Sequence, residues 1–344
     1  MAWTKPEYGH HTVDKAGKTL ISTALFEDVD RALKIVNNWR SSHGYPLQSI
    51  KMTLTGRARS VYAGAVVAER RKRIPAIELK LRQNSSMQLS KMHDIGGCRA
   101  ILASVSQVEK LVKVYEDAVI KNPRRGGEFV KKYDYITCPK KTGYRGVHLV
   151  YKYHSDSAAL SVYNGLRIEI QLRSRIQHQW ATAVETVDMF TTQALKSDMG
   201  TERWKRFFAL AASAFASIEK RTLVPGTPDN IQDLRKELNK FSHEITLLQG
   251  FQKATEIIEG KLSKIFLLQL DSEKRTIKTT GFASESLLLA QEKCLEIEKE
   301  NKDFPGRQVV LVSVESLNAL PKAFPNFFLD ITEFLRLIQK TIAA

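Results

Sequence analysis

Four short segments of this chain hold residues whose types and spacing suit chemistry on phosphates. Along Leu166-Arg167-Ile168-Glu169-Ile170-Gln171-Leu172-Arg173, apolar and polar residues alternate strictly. A strand has a side-chain period of two, so Arg167, Glu169, Gln171 and Arg173 share one face and the aliphatic residues the other. Alternation alone describes an ordinary solvent-facing sheet equally well. In Asp94-Ile95-Gly96-Gly97-Cys98-Arg99 a carboxylate precedes a glycine pair. The glycines let the backbone approach a ligand, Asp94 suits Mg2+, and Arg99 suits a phosphate or a base. Arg70-Arg71-Lys72-Arg73, followed by Ile77 and Lys80, is dense in cations. Such a run suits a triphosphate, because charged hydrogen bonds to phosphate are strong. It also suits a plain helix C-terminus. Pro139 to His148 is a loop with two glycines, and Tyr144 within it can stack on a purine.

Together these segments supply two carboxylates, several cations and an aromatic platform. Phosphoryl-type transfer needs that set: positioned phosphates, Mg2+ and neutralised developing charge. The sequence has no G-x-x-x-x-G-K-[ST], H-E-x-x-H or G-x-S-x-G. P-loop, zincin and serine-hydrolase chemistries therefore lack their signatures.

The elements that must position these residues are those of a mixed sheet with helices packed on it. Helices are expected over 23–40, 52–73, 107–119, 175–190 and 202–220, and strands over 98–105, 147–154 and 166–173. The stretch Thr222-Leu223-Val224-Pro225-Gly226-Thr227-Pro228 breaks any helix and marks an expected boundary between domains 1–221 and 222–344. Charge changes character there. Residues 1–221 hold 37 of the 53 Lys and Arg but only 20 of the 37 Asp and Glu, a balance of +17, while 222–344 balance at −1. A basic first domain favours polyanions. Downstream, 231–259 reads as one long helix or a hairpin, 265–270, 276–282 and 308–314 as strands, and 284–300 and the segment from 331 as helices. No apolar run is long enough for a membrane helix. Met1 to Pro6 lacks the apolar stretch of a signal peptide. The three cysteines show neither a disulfide framework nor metal spacing. A cytoplasmic protein without membrane association is expected; oligomeric state is not legible.

In this order the four segments resemble the RelA/SpoT alarmone synthetase domain. Arg70-x-Lys72 with Ile77 and Lys80 is similar to R-x-K-x-x-x-S-I-x-x-K, with Ala76 at the serine position. Asp94 to Arg99 resembles D-x-x-G-x-R. Tyr133-Asp134-Tyr135-Ile136 through His148 resembles K-D-Y-I followed by G-Y-R-x-x-H, with Tyr133 at the lysine position. Glu169 to Arg173 resembles E-x-Q-x-R, and Gln177 to Ala181 with Glu185 suits the helix that follows. The resemblance covers roughly 50–220 and implies an α/β (α+β) fold: a mixed-sheet nucleotidyl pyrophosphokinase domain flanked by helices, then a smaller α+β regulatory domain. It implies ATP as pyrophosphate donor, Mg2+ held by Asp94 and Glu169, and Glu169 as the base. By the same resemblance Arg70, Lys72, Lys80, Arg99, Gln171 and Arg173 contact ATP. Tyr144 stacks on the acceptor base, with Lys140, Arg145 and His148 near its phosphates. Residues 1–49 are too few for the metal-dependent hydrolase domain of the long bifunctional members.

The segment Ala323-Phe324-Pro325-Asn326-Phe327-Phe328-Leu329-Asp330, after Gln308 to Val312, resembles the tail of CapRel-like fused toxin–antitoxin members, where Y-P-N-Y-F is usual. That likeness implies a tail that blocks ATP entry through Phe324 and Phe327, tRNA as acceptor, and a phage structural protein such as a capsid protein as trigger. Residue type alone allows these phenylalanines to be plain core. A small alarmone synthetase making (p)ppGpp or (pp)pApp has the same donor half. An inactive RNA-binding module is disfavoured by the presence of both Asp94 and Glu169.

Overall fold

The computed structural model describes residues 3–22, 25–121, 127–191, 202–250, 255–259, 264–304, 306–315 and 317–343. Among them, nine strands form one mixed sheet: β1 Val66–Arg71, β2 Gly96–Leu102, β3 Glu128–Asp134, β4 Val147–Lys152, β5 Arg167–Ser174, β6 Thr255–Glu259, β7 Ile265–Asp271, β8 Thr276–Phe282 and β9 Arg307–Ser313. Their order is β3-β4-β5-β2-β1-β9-β7-β8-β6. β2 and β5 run parallel, and β4 and β1 flank them antiparallel. The expected α/β class with a mixed sheet and packed helices is what the chain adopts.

The expected helix over 52–73 is half wrong. A helix spans Gly44–Val61, the chain turns at Ala63 and Gly64, and Val66–Arg71 is a strand. Two valines favour extended backbone, and partners on both edges hold it, β2 on one side and β9 on the other. The 231–259 stretch is not one helix. It divides into helices Ile231–Leu238 and Ser242–Gln249, then β6. Helix His10–Leu20 and strand β3 lacked a sequence signal strong enough to be expected.

One sheet face is apolar. Val67, Cys98, Ala100, Ile168, Ile170, Leu172, Val147 and Leu149 pack under helices Gly44–Val61 and Val105–Lys121. Burying each such aliphatic contributes roughly 1.5–3 kcal/mol. The opposite face carries the polar residues, because their positions alternate with the apolar ones.

Residues after 222 share their cores with residues before it. Helix Glu202–Ile218 is buried from Phe207 to Ala216 without a break, so it needs cover on all sides. Helix Arg175–Thr191 covers it from one direction, and Ile231–Leu238, Ser242–Gln249 and Thr332–Ala343 from others, through Leu234, Phe241, Leu248 and Phe334. β9 pairs with the end of β1, Arg70 opposite Val312. Ala68 thereby joins the core of Phe266, Val310, Phe324, Phe327 and Phe328.

Candidate active site

Cross-strand register gathers the polar residues. Arg70 lies opposite Gly97, and Gly97 opposite Glu169. Arg99 lies opposite Gln171, and Gln171 opposite His148. Arg70, Arg99, Glu169, Gln171, Arg173 and His148 therefore stand on one face, across four neighbouring strands. Asp94 enters from the turn just before β2.

Asp94 is clamped by two lysines. Lys72 Nζ and Lys80 Nζ donate to Oδ2 and Oδ1, each at 2.8 Å. Lys72 follows β1, and Lys80 projects from helix Ile74–Gln83. Burial pushes the Asp94 carboxyl up, but the two ammonium groups outweigh it and hold it well below the usual carboxylate range. Glu169 is close enough for the Asp94 charge to push its pKa upward. Burial pushes Glu169 the same way. His148, with Nδ1 3.0 Å from Oε1, reverses both and keeps Glu169 ionised.

Around Glu169 the hydrogen bonds close a circuit. Gln171 Nε2 donates to Glu169 Oε2 at 2.6 Å. Arg173 Nη2 donates to Gln171 Oε1 and to the Tyr144 hydroxyl, both at 3.0 Å. The Tyr144 hydroxyl meets His148 Nε2, whose ring returns to Glu169. Burial lowers the His148 pKa, but Tyr144 and Glu169 raise it to about 9. Burial raises Tyr144, but Arg173 and His148 bring it down to about 8. Each group's shift rests partly on the other, so the two titrate as a pair.

Beside the circuit, cations are in excess. Arg99 is driven down to about 9 by burial first, then by Arg173 and Arg70. Arg99 Nε and Arg173 Nε and Nη1 are buried and, among the described residues, lack a hydrogen-bond partner. Glu185, from helix Arg175–Thr191, opposes these charges. Unpaired buried guanidinium N–H groups are costly, and phosphate oxygens would satisfy them.

Residues 69–189, which contain every one of these groups, match the family model described as "Region found in RelA / SpoT proteins". Residues 69–189, about a third of the chain, are similar to a RelA/SpoT region. The match supports an ATP-dependent pyrophosphokinase. None of the curated proteins compared matches it. Similar solved structures include small alarmone synthetase 1 from Bacillus subtilis bound to its product pppGpp, at 22% identity and TM-score 0.42, covering 52% of this chain and 89% of that one. Small alarmone synthetase 2 from Bacillus subtilis is 19% identical, with TM-score 0.42, covering 56% and 95%. A GTP pyrophosphokinase family protein from Streptococcus pneumoniae is 20% identical, with TM-score 0.40, covering 59% and 90%.

Within the RelA/SpoT region most expected residues converge, and some do not. Arg145 is held by an ion pair. Its Nη2 lies 2.8 Å from Glu219 Oε2, both nearly fully buried, so it anchors the loop to the residue that follows helix Glu202–Ile218. Gln171 and Arg173 are held inside the circuit and position Glu169 and Tyr144. Tyr144 is not a free platform: Arg173 lies over its ring at 5.2 Å and Lys140 at 5.6 Å, with Trp180 edge-on. Gly143 makes this loop fit. It has φ +95°, and a Cβ there would come within 2.8 Å of Trp180.

The tail does reach the RelA/SpoT region, but differently from the expectation. Arg99 donates to the carbonyl of Ala323, and its guanidinium lies 5.0 Å over the Phe324 ring. His178 Nε2 is 3.3 Å from the Lys322 carbonyl. Phe324 and Phe327 are 1% and 2% exposed. Phe324 thus serves core and contact at once, whereas Phe327 packs in the core, and the tail aromatics form no exposed docking surface. Tyr133 and Tyr135 had only a family position to mark them. Their adjacency to His148 comes from β3, whose lysine-rich pattern hides its period of two.

Proposed function

We propose that this chain transfers the β,γ-pyrophosphate of ATP to the 3′-hydroxyl at the acceptor end of tRNA, and that its tail restrains it. The observation that carries the reading is the pair of ionised acids beside buried arginines with unsatisfied N–H groups, Glu169 and the arginines on one sheet face and Asp94 in the turn before β2. Hard oxygen donors suit magnesium, which keeps one or two carboxylates and takes phosphate oxygens for the rest. Asp94 and Glu169 fit that donor set and would hold it, and the ion supplies charge neutralisation at the phosphates.

Lys72 and Lys80 exchange Asp94 for phosphate oxygens as the donor enters. Arg70 and Arg99 orient the triphosphate, and the unsatisfied N–H groups of Arg99 find acceptors there. Glu169 accepts the proton of the 3′-hydroxyl. That oxygen attacks the β-phosphorus from about 3–3.5 Å. The bond from the β-phosphorus to the α,β-bridging oxygen breaks, and AMP leaves with the electron pair. The +17 balance of 1–221 supports an RNA acceptor. Arg99 engaged by Ala323 and Phe324 supports restraint by the tail, since its Nη2 and one face of its guanidinium are occupied there. Release requires a ligand that binds the open arrangement more tightly. The CapRel-like tail supports a phage structural protein in that role.

The test offers ATP labelled in the γ-phosphate together with tRNA, GDP, GTP and AMP in parallel reactions. Phe324→Ala serves as the released form. Label on deacylated tRNA, faster for Phe324→Ala and lost by 10²-fold or more in Glu169→Gln, is the expected result. A labelled 3′-pyrophosphorylated nucleotide with bare tRNA refutes the tRNA acceptor, and no transfer to any of the four refutes the whole reading.

A further inference from the structure

We propose that an aromatic strip beside the circuit binds the nucleotides that precede the acceptor hydroxyl, so that the acceptor is recognised as a single-stranded end several nucleotides long. This inference rests on the acceptor reading above and adds a subsite to it.

The strip is set by sheet register. Glu169 and Gln171 lie on β5, His148 on β4 opposite Gln171, and Tyr133 on β3 opposite His148. β3 is the edge strand, so the site face runs out to an open margin there. Tyr133 and Tyr135 are half-buried, with rings nearly parallel at 11° and stacked with centroids 5.9 Å apart. Tyr135 stands edge-on to Tyr144 at 5.6 Å and to His148 at 5.4 Å. The rings therefore lead without a gap from the margin to the histidine that touches Glu169.

Each outer ring carries a cation. Lys131 Nζ lies 4.8 Å from the Tyr133 centroid, and Lys140 Nζ lies 4.6 Å from that of Tyr135. Both lysines are exposed, and neither has an ion-pair partner among the described residues. Lysine on an edge strand also guards against strand addition. That role explains Lys131 and Lys132 but not two stacked rings on the site face. Lys132 follows the ordinary pattern, pairing at 2.6 Å with Glu116. Aromatic rings that take base faces, flanked by mobile ammonium groups that take phosphates, are the means by which proteins bind single strands. A base that stacks on Tyr133 or Tyr135 displaces the lysine over it, and the freed ammonium meets the adjoining phosphate.

The span is right for a short strand and too long for one nucleotide. Two strand spacings separate β5 from β3, roughly 9–10 Å. Stacked nucleotides rise about 3.4 Å each along the strand axis, so two or three nucleotides fit. The tail contacts lie at Arg99 and His178, away from β3, so the strip is accessible while the tail is in place.

The experiment uses the full chain without ATP and measures anisotropy of fluorescein-labelled oligoribonucleotides of one to four nucleotides with free 3′-hydroxyls. Affinity should rise with length up to three nucleotides. Tyr133→Ala should weaken the trinucleotide roughly 5- to 150-fold and leave AMP binding unchanged, whereas Tyr133→Phe, which keeps the ring, should bind like the natural chain. Lys131→Ala should flatten the salt dependence by about 0.7 log units per decade. A thermal melt of Tyr133→Ala matching the natural chain confirms that the loss is local. A trinucleotide bound no tighter than AMP, or binding equal in natural chain and Tyr133→Ala, overturns the subsite. Length-dependent binding with no pyrophosphate transfer to tRNA leaves the subsite standing and sinks the proposed reaction. Transfer to tRNA with Tyr133→Ala indistinguishable does the reverse.

Discussion

The Tyr144 phenol should ionise near neutrality, and the perturbation that isolates it is Tyr144→Phe. Burial opposes ionisation, but the Arg173 guanidinium 3.0 Å away and the His148 ring bring the pKa from 10.0 to about 8. At about 1.36 kcal/mol per decade, that fall is on the order of 3 kcal/mol in favour of the phenolate. At pH 8.5 about three quarters of Tyr144 is then ionised, against roughly 3% of an ordinary tyrosine. The background is favourable, because Tyr115, Tyr135, Tyr151, Tyr153 and Tyr163 are all pushed upward by burial. Tyrosinate absorbance, followed against pH on the full chain, should show one phenol titrating around pH 8 and none in Tyr144→Phe. His148→Gln should move that step upward. A titration curve unchanged by Tyr144→Phe would refute the closed circuit, whatever the enzyme's activity. The same variant separates two roles of this residue. It keeps the ring and removes the hydroxyl, so unaltered transfer at every pH means that Tyr144 acts by ring packing alone, while a shifted pH profile means that the circuit governs Glu169.

Two further outcomes follow from charge. His148 has its folded pKa raised to about 9, so its contribution to stability is complete below its ordinary 6.5 and is lost as pH rises toward 9. Tyr144, lowered to about 8, works the other way between 8 and 10. Urea unfolding should therefore show stability falling between pH 6.5 and 8 in the natural chain and a flatter profile in His148→Gln; equal slopes contradict the assignment. Glu298 joins the C-terminal helix Leu287–Glu300 to the N-terminal half, with Oε2 2.6 Å from Arg40 Nη1 and Oε1 accepting from the Ile74 backbone N–H at 3.1 Å. Glu298→Ala leaves Arg40 buried beside Arg71 and should cost about 3–5 kcal/mol, read from the urea midpoint; a loss below 1 kcal/mol would show the pair to be dispensable.

Much of the site was legible because its signals are local. The alternation across 166–173 assigns a strand and chooses the face of Glu169, since a period of two acts within one segment. The spacing from Asp94 to Arg99 likewise marks a turn into a strand. Other features were not legible, because they are choices of partner. Val66–Arg71 has enough charge to read as a helix end, and it is a strand because β2 and β9 pair with it. Arg145 sits in the same loop as Tyr144, yet Glu219 holds it in an ion pair. Phe324 and Phe327 are alike in the sequence, but only Phe324 is packed beneath Arg99.

The sequence by itself determined the kinds of groups this protein can bring to a phosphate and the faces on which its strands present them, because residue chemistry and backbone period are properties of a short stretch. Tertiary structure alone decided which charges meet. Lys72 and Lys80 were read as cations for ATP, and packing turns both onto Asp94. His148 closes the circuit at Glu169, and the tail carbonyls engage Arg99 and His178. Such pairings join residues far apart along the chain, and their energies depend on burial and distance, which no local pattern contains.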